Sequence, residues 1–228
     1  MIILAMFEFL EDYPIYLGEF YKKDNIIKMK FTMQYLTDRY ENIAKSCLNS
    51  IDNGEIFSMD LFHDDFSGER YSGCYLKKVH FSIQVQDTVD VELIIDGNFE
   101  DLLDMREFDD PCKMKIVTSH DCKVDIISTT GVRVPETLYK AEFERKYNRN
   151  DVTGSISAYN RTLNQVDSPT FLEVTENDPY FSIRLCFKIN DYYEDLFVIR
   201  KANLKLTHRE IKNGIDKAEV SFETSDYV

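Results

Sequence analysis

Over residues 79–95 apolar and polar side chains alternate with a period of two. Val79, Phe81, Ile83 and Val85 take turns with His80, Ser82 and Gln84. After a turn near residues 86–88, Val89, Val91, Leu93 and Ile95 take turns with Asp90, Glu92 and Ile94. Successive side chains of a strand point to opposite faces, so two adjacent runs of this kind predict an antiparallel hairpin with one buried face. Ile94 interrupts the polar side and predicts that this end is covered.

A second hairpin of the same type stands near the C-terminus. Residues 197–206 read as a strand region, and Lys212-Asn213-Gly214 is a turn signal. Beyond it Ala218, Val220 and Phe222 alternate with Lys217, Glu219, Ser221 and Glu223. Before that turn the alternation is broken, because Leu206 and Ile211 are both apolar and fall on opposite faces of a regular strand.

The two hairpins belong to a longer repeat. Phe57-Ser58-Met59-Asp60-Leu61 returns as Phe181-Ser182-Ile183-Arg184-Leu185, 124 residues later. Tyr35 and Tyr159, and Asn53 and Asn177, share that offset; Leu76-Lys77, His80 and Ile83 match Leu204-Lys205, His208 and Ile211 at an offset of 128. A repeat of this length predicts a duplicated domain, with the change of offset in a loop that tolerates insertion. The expected division is residues 1–105 and 106–228.

Between the matched strands lie dissimilar connectors. Residues 36–51 read as a helix with Thr37 or Asp38 as cap, Ile43, Cys47, Leu48 and Ile51 at helical spacing, and Asn53-Gly54 as the stop. The same slot in the second half, residues 162–178, contains Pro169 and room for one short helix at 171–175. Further strands are expected at 26–33, 114–117, 124–127, 138–145 and 152–159. Residues 97–111 read as a short acidic linker, with Asp101, Asp104, Glu107, Asp109 and Asp110 crowded before Pro111, and one amphipathic turn at Leu102, Leu103 and Met105. The fold class expected is mainly β (α+β), as two tandem domains.

Composition narrows the function. The 228 residues carry a formal net charge of −14, which repels nucleic-acid backbones and argues against sequence-reading DNA binding. Five cysteines without a CxxC predict buried thiols in a reducing compartment. The apolar start is cut short by Glu8, Glu11 and Asp12, unlike a secretory leader, and no run approaches the ~18 apolar residues of a membrane helix. The expectation is no membrane.

Catalytic patterns are sparse. His63-Asp64-Asp65 could open a metal site, but the other histidines, His80, His120 and His208, fall on expected strands or loops, and a polar turn before Ser67-Gly68 explains the triplet. In His120-Asp121-Cys122 the neighbouring carboxylate would raise the thiol pKa and so oppose nucleophilic use. Phosphate-binding, GxSxG and HExxH motifs are absent from the sequence. No catalytic, cofactor-binding or metal residue is assigned, and the chain is expected not to be an enzyme.

The second half resembles the tail-tube fold of phages and related contractile injection machines. The resemblance runs from Gly131-Val132-Arg133-Val134-Pro135 through Val152-Thr153-Gly154-Ser155-Ile156-Ser157-Ala158-Tyr159 and Tyr180-Phe181-Ser182-Ile183-Arg184-Leu185. It continues through Ala202-Asn203-Leu204-Lys205-Leu206 and ends in Ala218-Glu219-Val220-Ser221-Phe222-Glu223. Residues 71–97 echo its last part. The resemblance implies two tandem β-sandwich or barrel domains, the first with a flanking helix, whose sheets merge around a channel. It implies a structural virion protein of a bacteriophage or phage-like tail, tail tube or baseplate hub, assembled in the host cytoplasm. A homotrimer of such chains makes a pseudo-sixfold ring. Its implied partners are other copies and other tail or baseplate proteins, with DNA passing unbound. Candidate channel-facing residues are His80, Ser82, Gln84, Asp90, Glu92, Lys217, Glu219 and Glu223. The alternatives are another virion adaptor (neck, terminator or baseplate component), a DNA sliding clamp, and a metal-dependent enzyme at residues 63–65.

Overall fold

The computed structural model describes residues 2–11, 13–36, 41–63, 67–84, 88–103, 114–116, 122–129, 131, 138–159, 172–173, 180–189 and 192–227. The fold is mainly β. In chain order the strands are β1 Ile2–Phe7, β2 Tyr13–Tyr16, β3 Glu19–Lys23, β4 Ile26–Thr32, β5 Gln34–Leu36, β6 Glu41–Asn42, β7 Phe57–His63, β8 Gly68–Gln84 and β9 Val89–Leu103. They continue as β10 Met114–Ile116, β11 Cys122–Ser128, β12 Leu138–Lys146, β13 Val152–Tyr159, β14 Tyr180–Ile189, β15 Tyr192–Asn203, β16 Lys205–Lys212 and β17 Ile215–Thr224. The α-helix α1 spans Ile43–Asn53, and residues 172–173 are also helical.

The chain divides into two compact units. The first holds Met1–Phe81, Val89–Val117 and Arg145–Asn148; the second holds Ser82–Thr88, Thr118–Glu144 and Arg149–Val228. The expected cut at residue 105 falls outside the described residues.

In the first unit the strands join in the order β2-β1-β7-β8-β9-β4-β3. The alternation seen in the sequence becomes the burial pattern. Ile27, Met29 and Phe31 of β4, Val79 and Phe81 of β8, and Val89, Val91, Leu93 and Ile95 of β9 are all buried. A smaller cluster of Leu4, Met6 and Phe62, with Leu103 packed on it, covers the other face of β1 and β7. Ile43, Cys47 and Ile51, four residues apart, give α1 its buried side together with Leu48. Gly54 ends the helix at φ +61°, with its N–H on the Ile51 carbonyl and the Glu55 N–H on the Ser50 carbonyl. Glycine takes this left-handed turn without a Cβ penalty.

The second unit repeats the order of pairings. In the first unit β1 pairs β7, β7 pairs the start of β8, β8 pairs β9, β9 pairs β4, and β4 pairs β3. In the second β11 pairs β14, β14 pairs β15, β16 pairs β17, β17 pairs β13, and β13 pairs β12. The 17-residue β8 does alone what β15 and β16 do together, separated at Leu204. Phe57 and Phe181 hold equivalent places on β7 and β14, and His80 and His208 on β8 and β16. Tyr35 does not follow the pattern, since it lies on β5 while Tyr159 ends β13. The core of this unit is built from Ala141 and Phe143, Val152, Ile156 and Ala158, Ala218, Val220 and Phe222, and from Phe181, Ile183, Ile199 and Ala202.

Several expectations are corrected. The helix begins at Ile43, not at residue 36, because β5 pairs with β10 and β6 with β5. Ladder hydrogen bonds from a distant strand override local helix propensity there. Thr37 and Asp38 lie outside the described residues. The acidic linker is shorter than expected, since β9 runs 15 residues to Leu103 and the amphipathic turn at Leu102 and Leu103 is strand. Leu206 and Ile211 share one face, because a bulge between Leu206 and His208 inserts an extra residue. Their partners on β17, Val220 and Asp216, confirm the shared parity.

Candidate functional site

The polar residues of β8 and β9 face outward on a sheet whose other outward residues come from β3 and β4. Register places Glu19 beside Lys30, Tyr21 beside Lys28 and Lys23 beside Ile26, and sets Lys30 beside Glu92, Thr32 beside Asp90 and Ile26 beside Asp96. Lys28 Nζ lies 2.8 Å from Glu92, Lys30 Nζ 2.9 Å from Asp90, Lys78 Nζ 3.0 Å from Glu92 and Lys77 Nζ 3.1 Å from Asp96. This face thus carries the four carboxylates of Glu19, Asp90, Glu92 and Asp96 and the five lysines 23, 28, 30, 77 and 78, with ion pairs made by Lys28, Lys30, Lys77 and Lys78. A chain with a net charge of −14 presents here a face with one lysine more than it has carboxylates.

Glu92 stands at the centre of this ladder. Burial pushes its carboxyl upward, but hydrogen bonds from Lys28 and Lys78, reinforced by their charge, outweigh burial and hold it below the usual carboxylate range. A depressed folded pKa gives stability that is present above the unfolded pKa and lost as pH falls through the folded one. Glu92→Gln is expected to cost about 1–2 kcal/mol at neutral pH in urea denaturation. That gap from wild type should close as pH falls below about 4.5. A gap independent of pH would show that the ladder contributes nothing through charge. Lys30 is raised by its hydrogen bond to Asp90 and by that charge, so its contribution is present below the unfolded pKa and fades only as the solution becomes alkaline.

The expected channel-facing residues fall into two groups. Asp90 and Glu92 belong to the paired ladder, with His80 half-buried on β8; Ser82 and Gln84 lie at the end of β8, in the stretch grouped with the second unit. In the second unit Lys217 reaches over the rings of Tyr139 and Tyr159, at 5.0 and 5.6 Å from their centroids. Glu219 is half-buried and Glu223 exposed. The hydrogen bond and charge of Asp151 raise the Glu223 carboxyl. Sequence reading overlooked the lysines of β4, although Lys28 and Lys30 alternate with Ile27, Met29 and Phe31 as plainly as the residues of β9 do.

A second polar group closes the edge of the first core. Tyr71 is buried and donates its hydroxyl proton to Glu69, while Lys22 Nζ donates to the Tyr71 oxygen. The Lys22 ammonium sits 4.6 Å from the Tyr71 centroid and 5.4 Å from that of Phe99. Burial, and then Glu69, raise the Tyr71 phenol far above its usual value, so it serves as a neutral donor and not as a base. His63 Nε2 lies 3.7 Å from Glu69; Asp64, Asp65, His120 and Asp121 lie outside the described residues. Among the described residues no three of His, Cys, Asp or Glu gather to hold a metal ion. The Cys74 thiol is pushed up to about 12 by burial and by Asp96, which removes thiolate chemistry at neutral pH. No helix among the described residues is long and apolar enough to cross a membrane.

No known family model matches this chain, and no curated protein matches it.

Proposed function

We propose that this chain is a structural component of a phage-like tail, built as a ring of tube or hub around a DNA channel. The observation that carries the reading is the recurrence of one pairing order in both units, from β1-β7 to β4-β3 and from β11-β14 to β13-β12. A chain that carries two like domains turns three copies into six similar positions, and heterologous contacts between them close under rotation. Closure also removes sheet edges that would otherwise template aggregation. The outer face of the first unit, where Lys28, Lys30, Lys77 and Lys78 are each paired with a carboxylate, suits a wall past which DNA slides, because paired lysines have little free charge with which to release counterions from phosphates. The role is mechanical, and the reading assigns no catalysis.

The experiment is negative-stain electron microscopy of the purified chain combined with mass determination in solution. Rings with a central hole and a mass three times 26.8 kDa are expected. A compact monomer at every concentration, without rings or tubes, would overturn the reading.

A further inference from the structure

We infer that strand β16 of one copy docks as an added strand along the acidic end of β9 of a second copy. The inference rests on the self-assembling reading above and names the contact that would carry it.

Along its whole length β16 is exposed, and among the described residues it pairs on one side only, with β17. The bulge after Leu206 matters here. Register puts Leu206, Arg209 and Ile211 on the side of β17 that carries the buried Ala218 and Val220. The core-facing side of the sheet thus continues past its last covered strand. Leu206 is 52% exposed and Ile211 67%. Edge strands are ordinarily blunted by charge or bulges, and an edge that keeps an uncovered apolar face is a template for another strand.

Charge selects the occupant. Lys205, Arg209 and Lys212 against Glu210 make β16 basic, in a chain whose net charge is −14. A second copy is therefore an acidic partner. Its matching segment is the end of β9. The ladder with β4 stops at Ile26 and Asp96, and β9 continues to Leu103 with residues 98–102 exposed. This stretch carries Phe99 at 51% and Leu102 at 71% exposure, flanking Glu100 and Asp101. The Leu102 N–H is held by the side chain of its own neighbour Asp101 at 2.8 Å, a local bond that a carbonyl of an incoming strand can replace. The contact is heterologous, basic strand to acidic strand. Pairing of β16 with β16 would instead set basic strands against each other.

The test uses the full chain in two charge-reversed forms, Lys205→Glu with Lys212→Glu, and Glu100→Lys with Asp101→Lys. Neither pair includes a core residue, and Arg209, which holds Asp216, is left in place. Each variant alone is expected to self-associate at least tenfold more weakly than wild type in analytical ultracentrifugation at low salt. Mixed, the two are expected to bind each other with near wild-type strength, since each reversed strand then meets its opposite. Recovery on mixing also shows that both variants are folded. If wild type associates and either variant associates equally well, or if mixing restores nothing, the β16–β9 contact is wrong while ring assembly stands. If wild type does not associate at any concentration, both the contact and the ring reading fall.

Discussion

Gly154→Ala is expected to destabilise the second unit by about 3 kcal/mol, and Gly154→Val to abolish pairing of β12, β13 and β17. A Cβ built at this position would stand 2.4 Å from the Glu142 carbonyl oxygen and 2.4 Å from Phe222 Cζ. The ring of Phe222 could turn aside, but the carbonyl belongs to the backbone of β12 and can retreat only by opening the sheet. Gly154 pairs directly with Phe222 on β17, so the missing side chain is the space that the ring fills. Hydrogen exchange would read the effect as lost protection in β13 and β17, with the β4–β9 ladder of the first unit keeping its own. Adding Phe222→Leu to Gly154→Ala should recover part of the loss and leave the part due to the carbonyl. Wild-type stability in Gly154→Ala would mean that the sheet yields more easily than its packing implies.

The second large effect concerns a buried carboxylate. Asp60 is 4% exposed, beside Phe62 and across from Met6 on the face of β7 that carries the small cluster. Arg70 opposite it on β8 grips it with two hydrogen bonds of 2.7 Å. Removing one partner leaves an uncompensated charge out of water, whereas removing both leaves none. Arg70→Ala is therefore expected to cost about 3 kcal/mol, the lower end of the range for a broken buried pair because the Arg70 side chain is itself 40% exposed. Asp60→Met combined with Arg70→Met should be far milder than the sum of the single changes, and a double-mutant cycle in urea measures the difference. Additive losses would show that the pair has no mutual dependence.

How much of this was legible beforehand varies from strand to strand. β13 was expected at residues 152–159 and spans Val152–Tyr159, and β4 was expected to within a residue. Both are half-buried antiparallel strands, in which one face takes apolar residues and the other polar ones. The hairpin of β8 and β9 was read from the same signal, but its length was not. Over residues 98–102 β9 lies past the end of β4 and every residue is exposed, so alternation has nothing to mark. β1 was missed for the opposite reason. Leu4, Ala5, Met6 and Phe7 are all buried, so both faces are covered and the period of two disappears. The helix expected over 36–51 takes in Leu36 of β5 and all of β6, because the strand β5 that β6 pairs with is itself held by β10, some eighty residues away, which no local window contains.

For the candidate surfaces the division is similar. The polar positions on β8, β9 and β17 were named from parity alone. Their state was not, because it depends on neighbours in space. Glu92 is neutralised by Lys28 and Lys78, which come from two other strands. The shared face of Leu206 and Ile211 exists only because of a bulge. By itself the sequence determined the class of the fold and the alternation that divides core from surface in the half-buried strands, since these follow from side-chain chemistry at short range. Only the tertiary structure decided which charges cancel and which apolar residues stay uncovered, because Coulomb pairing and burial act between atoms that the chain brings together only by folding.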